Sequence, residues 1–201
     1  MKKYIAWISV LLIFTLSGCT QNMAVKSGYD FSKVKRIAVL DFSGYRAEGV
    51  ADIIIIELMK YGIDIVERNK IENLFREQQM VSSGAIDSST ARSIGKLLGV
   101  DAIMTGSVVG CLPAQRRTEY FARGDTPVVT PGLFILERGD NYITYQQDSE
   151  VSMSARLIDV ETGSVVWAAS DSSRGFSTES GIRSVALSLA VSLESVFPKK
   201  K

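Results

Sequence analysis

Val34-Lys35-Arg36-Ile37-Ala38-Val39-Leu40-Asp41-Phe42 is the stretch on which the fold turns. It is apolar and β-branched enough for a buried strand, and Ser43-Gly44 closes it. Outward from it, Ala47 to Lys60 reads as a helix with Val50, Ile53, Ile54 and Leu58 or Met59 toward the sheet. Its run of isoleucines would also suit a strand, but its length, Glu48, Glu57 and the stop at Gly62 favour helix. Ile63 to Glu67 is a short strand, and Asn69 caps a helix to about Gln79 with Ile71, Leu74 and Phe75 on one face. Ser82 to Ile86 is a loop. Ser88 or Ser89 caps the next helix, with Ala91, Ile94, Leu97 and Leu98 at helical spacing before Gly99.

Asp101 to Leu112 is strand-like, and Val151 to Leu157 alternates apolar with polar. Glu161-Thr162-Gly163 makes a turn into a hairpin partner, Ser164 to Ser170. A last helix, about Ser180 to Phe197, buries Val185, Leu189 and Leu193 or Val196. The order predicts an α/β fold: one domain over 33–198 with a mixed parallel and antiparallel sheet of about five strands flanked by helices. Pro113 to Gln147 interrupts the pattern as a long insert between two strands, with three of the chain's four prolines.

The chain has 201 residues, with 23 Lys+Arg against 22 Asp+Glu. Near-neutral charge gives no electrostatic case for nucleic acid as a partner. Histidine is absent, which removes imidazole triads and histidine-ligated metals. Two cysteines, Cys19 and Cys111, are too few for a disulfide framework or a cysteine-only zinc site. No cofactor and no metal are expected.

Lys2 and Lys3 precede an uncharged apolar run from Ile5 to Leu16, the length of a signal-peptide core and short for a membrane span. It ends in Leu16-Ser17-Gly18-Cys19, which resembles a bacterial lipobox. That resemblance implies cleavage after Gly18, an S-diacylglycerol and N-palmitoyl Cys19, and membrane lipid as a partner. Residues 1–18 are then signal peptide and 19–32 a lipidated tether, the polar, small stretch Gln21 to Tyr29 linking membrane to domain. Thr20 follows the cysteine where an aspartate would favour inner-membrane retention, so the outer membrane is expected. Cys111 is left as a lone thiol in an apolar run, a structural position.

Four stretches together resemble the curli-secretion lipoprotein (CsgG-type) family: Arg36 to Phe42, Val66-Glu67-Arg68 to Glu77-Gln78, Gly99 to Ser107, and Ala155 to Gly163 with Trp167. The resemblance covers roughly Val34 to Val196. It implies a lipoprotein of the outer membrane facing the periplasm, homo-oligomeric, non-enzymatic, and partnered with other envelope secretion or assembly proteins. Pore-forming members build rings whose subunits donate β-hairpins to a shared barrel. Relatives act as scaffolds, either activating cell-wall (peptidoglycan) synthases or serving as accessory rings in polysaccharide export.

By position the insert corresponds to the first membrane hairpin of the pore formers. The second would lie in Ala168 to Glu179, too short for two crossing strands of about 9–11 residues each. Within the insert, Leu133-Phe134-Ile135-Leu136 runs straight into Glu137-Arg138-Gly139-Asp140. Tyr120, Phe121, Tyr142 and Tyr145 suit an aromatic belt or the anchors of a protein-binding loop. The insert residues Tyr120, Phe121, Leu133, Phe134, Ile135, Leu136, Tyr142 and Tyr145 are therefore the candidate partner- or membrane-binding set.

Other motifs have plainer explanations. Ser93-Ile94-Gly95-Lys96 matches Ser-x-x-Lys, but the companion catalytic elements are missing and both polar residues fit a wet helix face. Arg123-Gly124-Asp125 and Arg138-Gly139-Asp140 are good turn sequences. Asp41, Asp159 and Glu161 end strands, where carboxylates cap turns.

Overall fold

The computed structural model describes residues 22–66, 88–122, 125 and 133–198. In chain order the strands are β1 (Asn22–Val25), β2 (Arg36–Val39), β3 (Ser43–Gly44), β4 (Asp64–Ile65), β5 (Ala102–Leu112), β6 (Gln115–Tyr120), β7 (Leu133–Arg138), β8 (Tyr142–Gln147), β9 (Ser149–Asp159) and β10 (Val165–Gly175). The helices are α1 (Val50–Lys60), α2 (Ser88–Leu98) and α3 (Thr178–Glu194). The α/β class holds, but the described main sheet has seven strands rather than about five, in the order β1-β10-β9-β5-β2-β4 with β3 beside β5. β2 pairs in parallel with β4 and β5, while β9, β10 and β1 run antiparallel to their neighbours.

The Val34–Phe42 stretch lands in the middle of this sheet. Ile37 and Val39 face one helix layer and Ala38 and Leu40 the other, so both sides of β2 are dry. On the first side lie α1 and α3, which bury Val50, Ile54 and Leu58, and Val185, Leu189 and Leu193, against Met104, Met153, Leu157 and Trp167. On the second side α2 sets Ala91 and Ile94 on Ile103, Ile158 and Val160. A Cβ at Gly95 would sit inside the Val160 side chain, which explains a glycine in mid-helix.

Local signals were read correctly where they were strongest. β9 alternates buried and half-buried residues from Ser149 to Arg156. Gly163 and Gly99 adopt φ of +69° and +65°, closing the hairpin and ending α2. The last helix, expected over about Ser180 to Phe197, instead runs Thr178–Glu194, because Ser177 caps it through Ser180 N at 3.1 Å and Ser180 Oγ accepts from Ser177 N at 3.0 Å. On α1, Leu58 is buried while Met59 points to solvent; on α2, Leu97 is exposed although its spacing suited the core. The helix expected over Asn69 to Gln79 and the Ser82 to Ile86 loop lie outside the described residues.

One reading needs correction. The stretch taken as a polar tether contains β1, whose Asn22 to Val25 pair with Ser170 to Trp167 along the sheet's edge. Tyr29 then donates its hydroxyl to Asp159 Oδ2 at 2.6 Å, and its ring meets Phe31 edge-on, which in turn meets Phe197. The chain is thus fastened to the domain from Asn22 onward.

Candidate functional site

The insert is an outgrowth of the sheet. β5 continues through Pro113-Ala114 into β6, and β8 continues through Asp148 into β9, so one antiparallel ribbon leaves the domain and keeps its register. β6 pairs with β8 from Gln115↔Gln147 to Tyr120↔Tyr142. β7 lies on the other side of β8, completing a three-stranded sheet in the order β6-β8-β7, with a bulge between Ile135 and Glu137.

This small sheet buries Ile143, Thr144 and Tyr145 of its middle strand and is tied across the strands by polar side chains. Thr118 and Thr144 share a hydroxyl hydrogen bond at 2.9 Å across the strands. Tyr142 donates to Glu137 Oε1 at 2.6 Å, and Tyr145 donates to Glu119. The carboxylate accepting each proton, and the repulsion a phenolate would meet there, raise both tyrosine pKa values above the ordinary one. Arg138-Gly139-Asp140 forms the β7–β8 turn, where Gly139 N donates to Tyr142 O at 2.9 Å. Arg123 and Gly124 lie outside the described residues.

The structure sorts the candidate residues into two groups. Tyr120 and Tyr142 meet at the far end of the insert, ring centroids 6.0 Å apart, with Tyr120 75% exposed and Phe121 partly buried beside them. Leu133 to Leu136 line the outer strand, half-buried or exposed, and Phe134 packs edge-on against Phe176 at the base. Tyr145 is buried, so its ring is not part of the outer surface. Phe176 is the residue the sequence reading missed: it is exposed, follows β10, and its carbonyl accepts from Gln146 Nε2 at 2.6 Å. An isolated aromatic between a strand and a helix cap was the available signal. Cys19 and Gly18 lie outside the described residues.

Strand directions locate the insert relative to the N-terminus. β10 runs toward the insert, ending beside Phe176 and Phe134. β1 is antiparallel to β10, with Asn22 opposite Ser170 and Val25 opposite Trp167. The N-terminal end of β1 therefore points to the end of the domain from which the insert projects. The Ala168 to Glu179 interval, considered above for a second hairpin, is used up by β10 and the cap of α3.

Elsewhere the polar groups have structural partners. Asp159 accepts from Thr162 N, Thr162 Oγ1 and Tyr29 Oη, each at 2.6 Å. Burial pushes its pKa up, but these hydrogen bonds outweigh that and hold it below the ordinary carboxylate value. Ser93 Oγ donates back to Ser89 O at 3.2 Å within α2. Cys111 is half-buried against the core. Among the described residues no group of three acidic, cysteine or histidine side chains could hold a metal, and no helix is long and apolar enough to cross a membrane. A shallow groove of about 540 Å³, floored by Thr105, Ser107, Ser154 and Ala168, lies on the part of the sheet that α2 leaves uncovered.

Comparison with known proteins places this architecture. The family model described as "Curli production assembly/transport component CsgG" matches residues 18–188. Among solved structures, the PelC dodecamer from Paraburkholderia phytofirmans is 19% identical, with 88% of this chain and 98% of that chain covered and a TM-score of 0.43. Lipoprotein GNA1162 from Neisseria meningitidis is 17% identical, covering 81% and 97%, with a TM-score of 0.47. The LpoB C-terminal domain from Salmonella enterica is 11% identical, covering 74% and 87%, with a TM-score of 0.46. No curated protein matches the chain.

Proposed function

Since the chain belongs to the curli production assembly/transport (CsgG) family, we propose that it is an outer-membrane-anchored, periplasm-facing lipoprotein, a non-catalytic and homo-oligomeric component of an envelope secretion or assembly system for an extracellular polymer. The observation that carries this is the common pole of N-terminus and insert. Three residue steps separate Cys19 from Asn22, a contour of at most about 11 Å. Acyl chains on Cys19 would hold the insert end of the domain at the bilayer, and concentrate the insert toward membrane-bound partners.

Within that reading the insert serves as a docking element rather than a wall of a self-made pore. Its strands are each six residues long, against about 9–11 for a tilted crossing strand. β6 is exposed along its whole length and reads Gln-Arg-Arg-Thr-Glu-Tyr, which offers no lipid-facing row of alternate apolar side chains. The alternative, a lipoprotein scaffold that activates a cell-wall synthase, needs reach across the periplasm, and the docking of β1 shortens the free tether.

The test is conductance in a planar bilayer with the acylated full-length protein extracted in detergent. A silent bilayer, with the native oligomer confirmed in the same preparation, is expected. Uniform channels that vanish when Ala114 to Tyr145 are deleted would overturn the docking reading in favour of an export pore. The anchor is tested separately: Cys19→Ser should leave an unprocessed, unlipidated precursor, and a mature acylated product from that variant would remove the lipobox assignment.

A further inference from the structure

The pole opposite the insert has a cleft of its own. β2 runs alongside β5 toward the insert and pairs in parallel with β4, so α1, the crossover between β2 and β4, returns away from the insert. α3 does the same along β10, since Ser184 bonds to Ser173 and, one turn later, Ser188 bonds to Asp171. Both helices therefore end at the far pole, where β2 and β4 begin. Between those ends lies a cleft of about 580 Å³, within the usual range for a ligand site, lined by Phe31, Tyr61, Ile63, Glu194, Phe197 and Pro198.

Its walls are aromatic, and its polar groups are unused within the chain. Phe31 is buried and meets Phe197 edge-on, ring centroids 5.8 Å apart. Tyr61, the residue that caps the end of α1, is 36% exposed, and Glu194 in the last turn of α3 is half-buried. Neither the Tyr61 hydroxyl nor the Glu194 carboxylate has a hydrogen-bond or ionic partner among the described residues. The helix ends add to the negative side. α3 has no basic residue in its last turn, and the one ending α1, Lys60, is held by Glu57 at 2.8 Å. A carboxylate at the C-terminal end of a helix opposes the dipole, so Glu194 does not sit there for the sake of the helix. Asp64 is bonded to Arg36, which leaves the exposed Lys35 at the rim as the unpaired cation lining the cleft.

We propose that this cleft receives a lysine or arginine side chain carried by an extended peptide segment of a partner protein. Aromatic rings attract a cation that has shed its water, and the Glu194 carboxylate supplies the opposite charge and accepts its N–H groups. The apolar stem of such a side chain packs on Phe197 and Pro198 while its charged head reaches Glu194 and Tyr61. The cleft opens beside β4, which ends the described sheet, so the backbone of an extended segment has a strand edge to pair with. The insert and the cleft then serve different contacts at opposite poles, and neither requires the other.

The test uses the acylated full-length protein in detergent and a fluorescent, amidated pentapeptide with lysine between alanines. Binding is read by anisotropy, with empty micelles as the blank, against counterparts carrying norleucine or glutamate at the centre. The lysine peptide should bind about tenfold more tightly than the norleucine one and should weaken as salt rises, while the glutamate peptide should not bind. Glu194→Gln should remove the preference for lysine, Phe197→Ala should weaken binding, and Lys35→Ala should strengthen it. Circular dichroism on each variant separates lost binding from lost folding. Equal binding of the lysine and norleucine peptides, a preference that survives Glu194→Gln, or no saturable binding of any peptide overturns the proposal. Binding that appears only after Lys199 to Lys201 are deleted assigns the cleft to the chain's own basic end and overturns it as well.

Discussion

The inner ladder of β5 with β9 and the outer ladder of β6 with β8 are one ribbon, yet they are held in different ways. In the inner half Met104, Val151, Met153 and Leu157 are sealed beneath α1 and α3. A Cβ at Gly106 would sit in the space of the Phe42 ring and the Ser154 carbonyl, so the backbone itself is tightly packed. In the outer half β6 is wholly exposed, and the strands are tied by the Thr118–Thr144 pair and the tyrosine–glutamate bonds. Backbone pairing is continuous across the boundary, whereas burial narrows to the middle strand, where Ile143, Thr144 and Tyr145 of β8 are covered while β6 and most of β7 stay exposed. The outer half is an extension templated by the domain, and the exposed apolar row of β7 remains open to meet something else.

The largest expected effect is in the inner half. Leu157→Ala empties a fully buried position and should lower unfolding free energy by about 2–5 kcal/mol in denaturant titration. A loss below about 1 kcal/mol would show that the inner ladder is no better packed than the outer, and the contrast would fail.

A middle-sized effect comes from a bond type that both halves share, a tyrosine hydroxyl donating to a carboxylate. Asp159, at the inner end of the ribbon, accepts from Tyr29 and twice from Thr162, and is itself buried. Asp159→Ala should cost about 1–3 kcal/mol by leaving those donors unpaired. Because its folded pKa is depressed, its stabilisation is full above about pH 4, the ordinary carboxylate value, and is lost as pH falls through the lower folded value. Melting temperature followed from pH 7 to 3 should fall below pH ~4 in the wild type, with a smaller fall in Asp159→Asn. Equal falls in both would place the acid-sensitive group elsewhere.

What was legible in the sequence follows the same boundary between local and distant causes. The β2 stretch, the alternation of β9 and the glycine stops at Gly99 and Gly163 declare themselves within a few residues, because burial and positive φ leave a local trace. β1 did not declare itself. Asn-Met-Ala-Val is polar and small enough to pass for a tether, and it is a strand only because β10, some 145 positions later, offers it an edge. The insert strands were equally silent. Gln115 to Tyr120 has no alternation, and its register is inherited from β5 and β9 rather than set by its own side chains. For the candidate site, the exposed Tyr120 and Phe134 were readable as large aromatics in a loop-like stretch. Burial of Tyr145 and the role of Phe176 depend on which strand sits in the middle of the small sheet, and that order is not local information.

The smallest expected effect is the counterpart of the first. Ile135 is as apolar as Leu157, lies in the outer sheet one residue before the β7 bulge, and is half exposed. Ile135→Ala removes surface that is already largely in water, so the cost should stay within about 0.5 kcal/mol in the same denaturant titration. The two truncations share a chemistry and differ in packing, so their ratio measures the boundary across the ribbon directly. If Ile135→Ala instead cost as much as Leu157→Ala, the outer sheet would be a second core with its own cooperative stability, and its exposed row could not be free for a partner. A near-zero cost to folding, together with weakened partner binding by the same variant, would mean that this side chain is kept apolar for a contact made outside the chain.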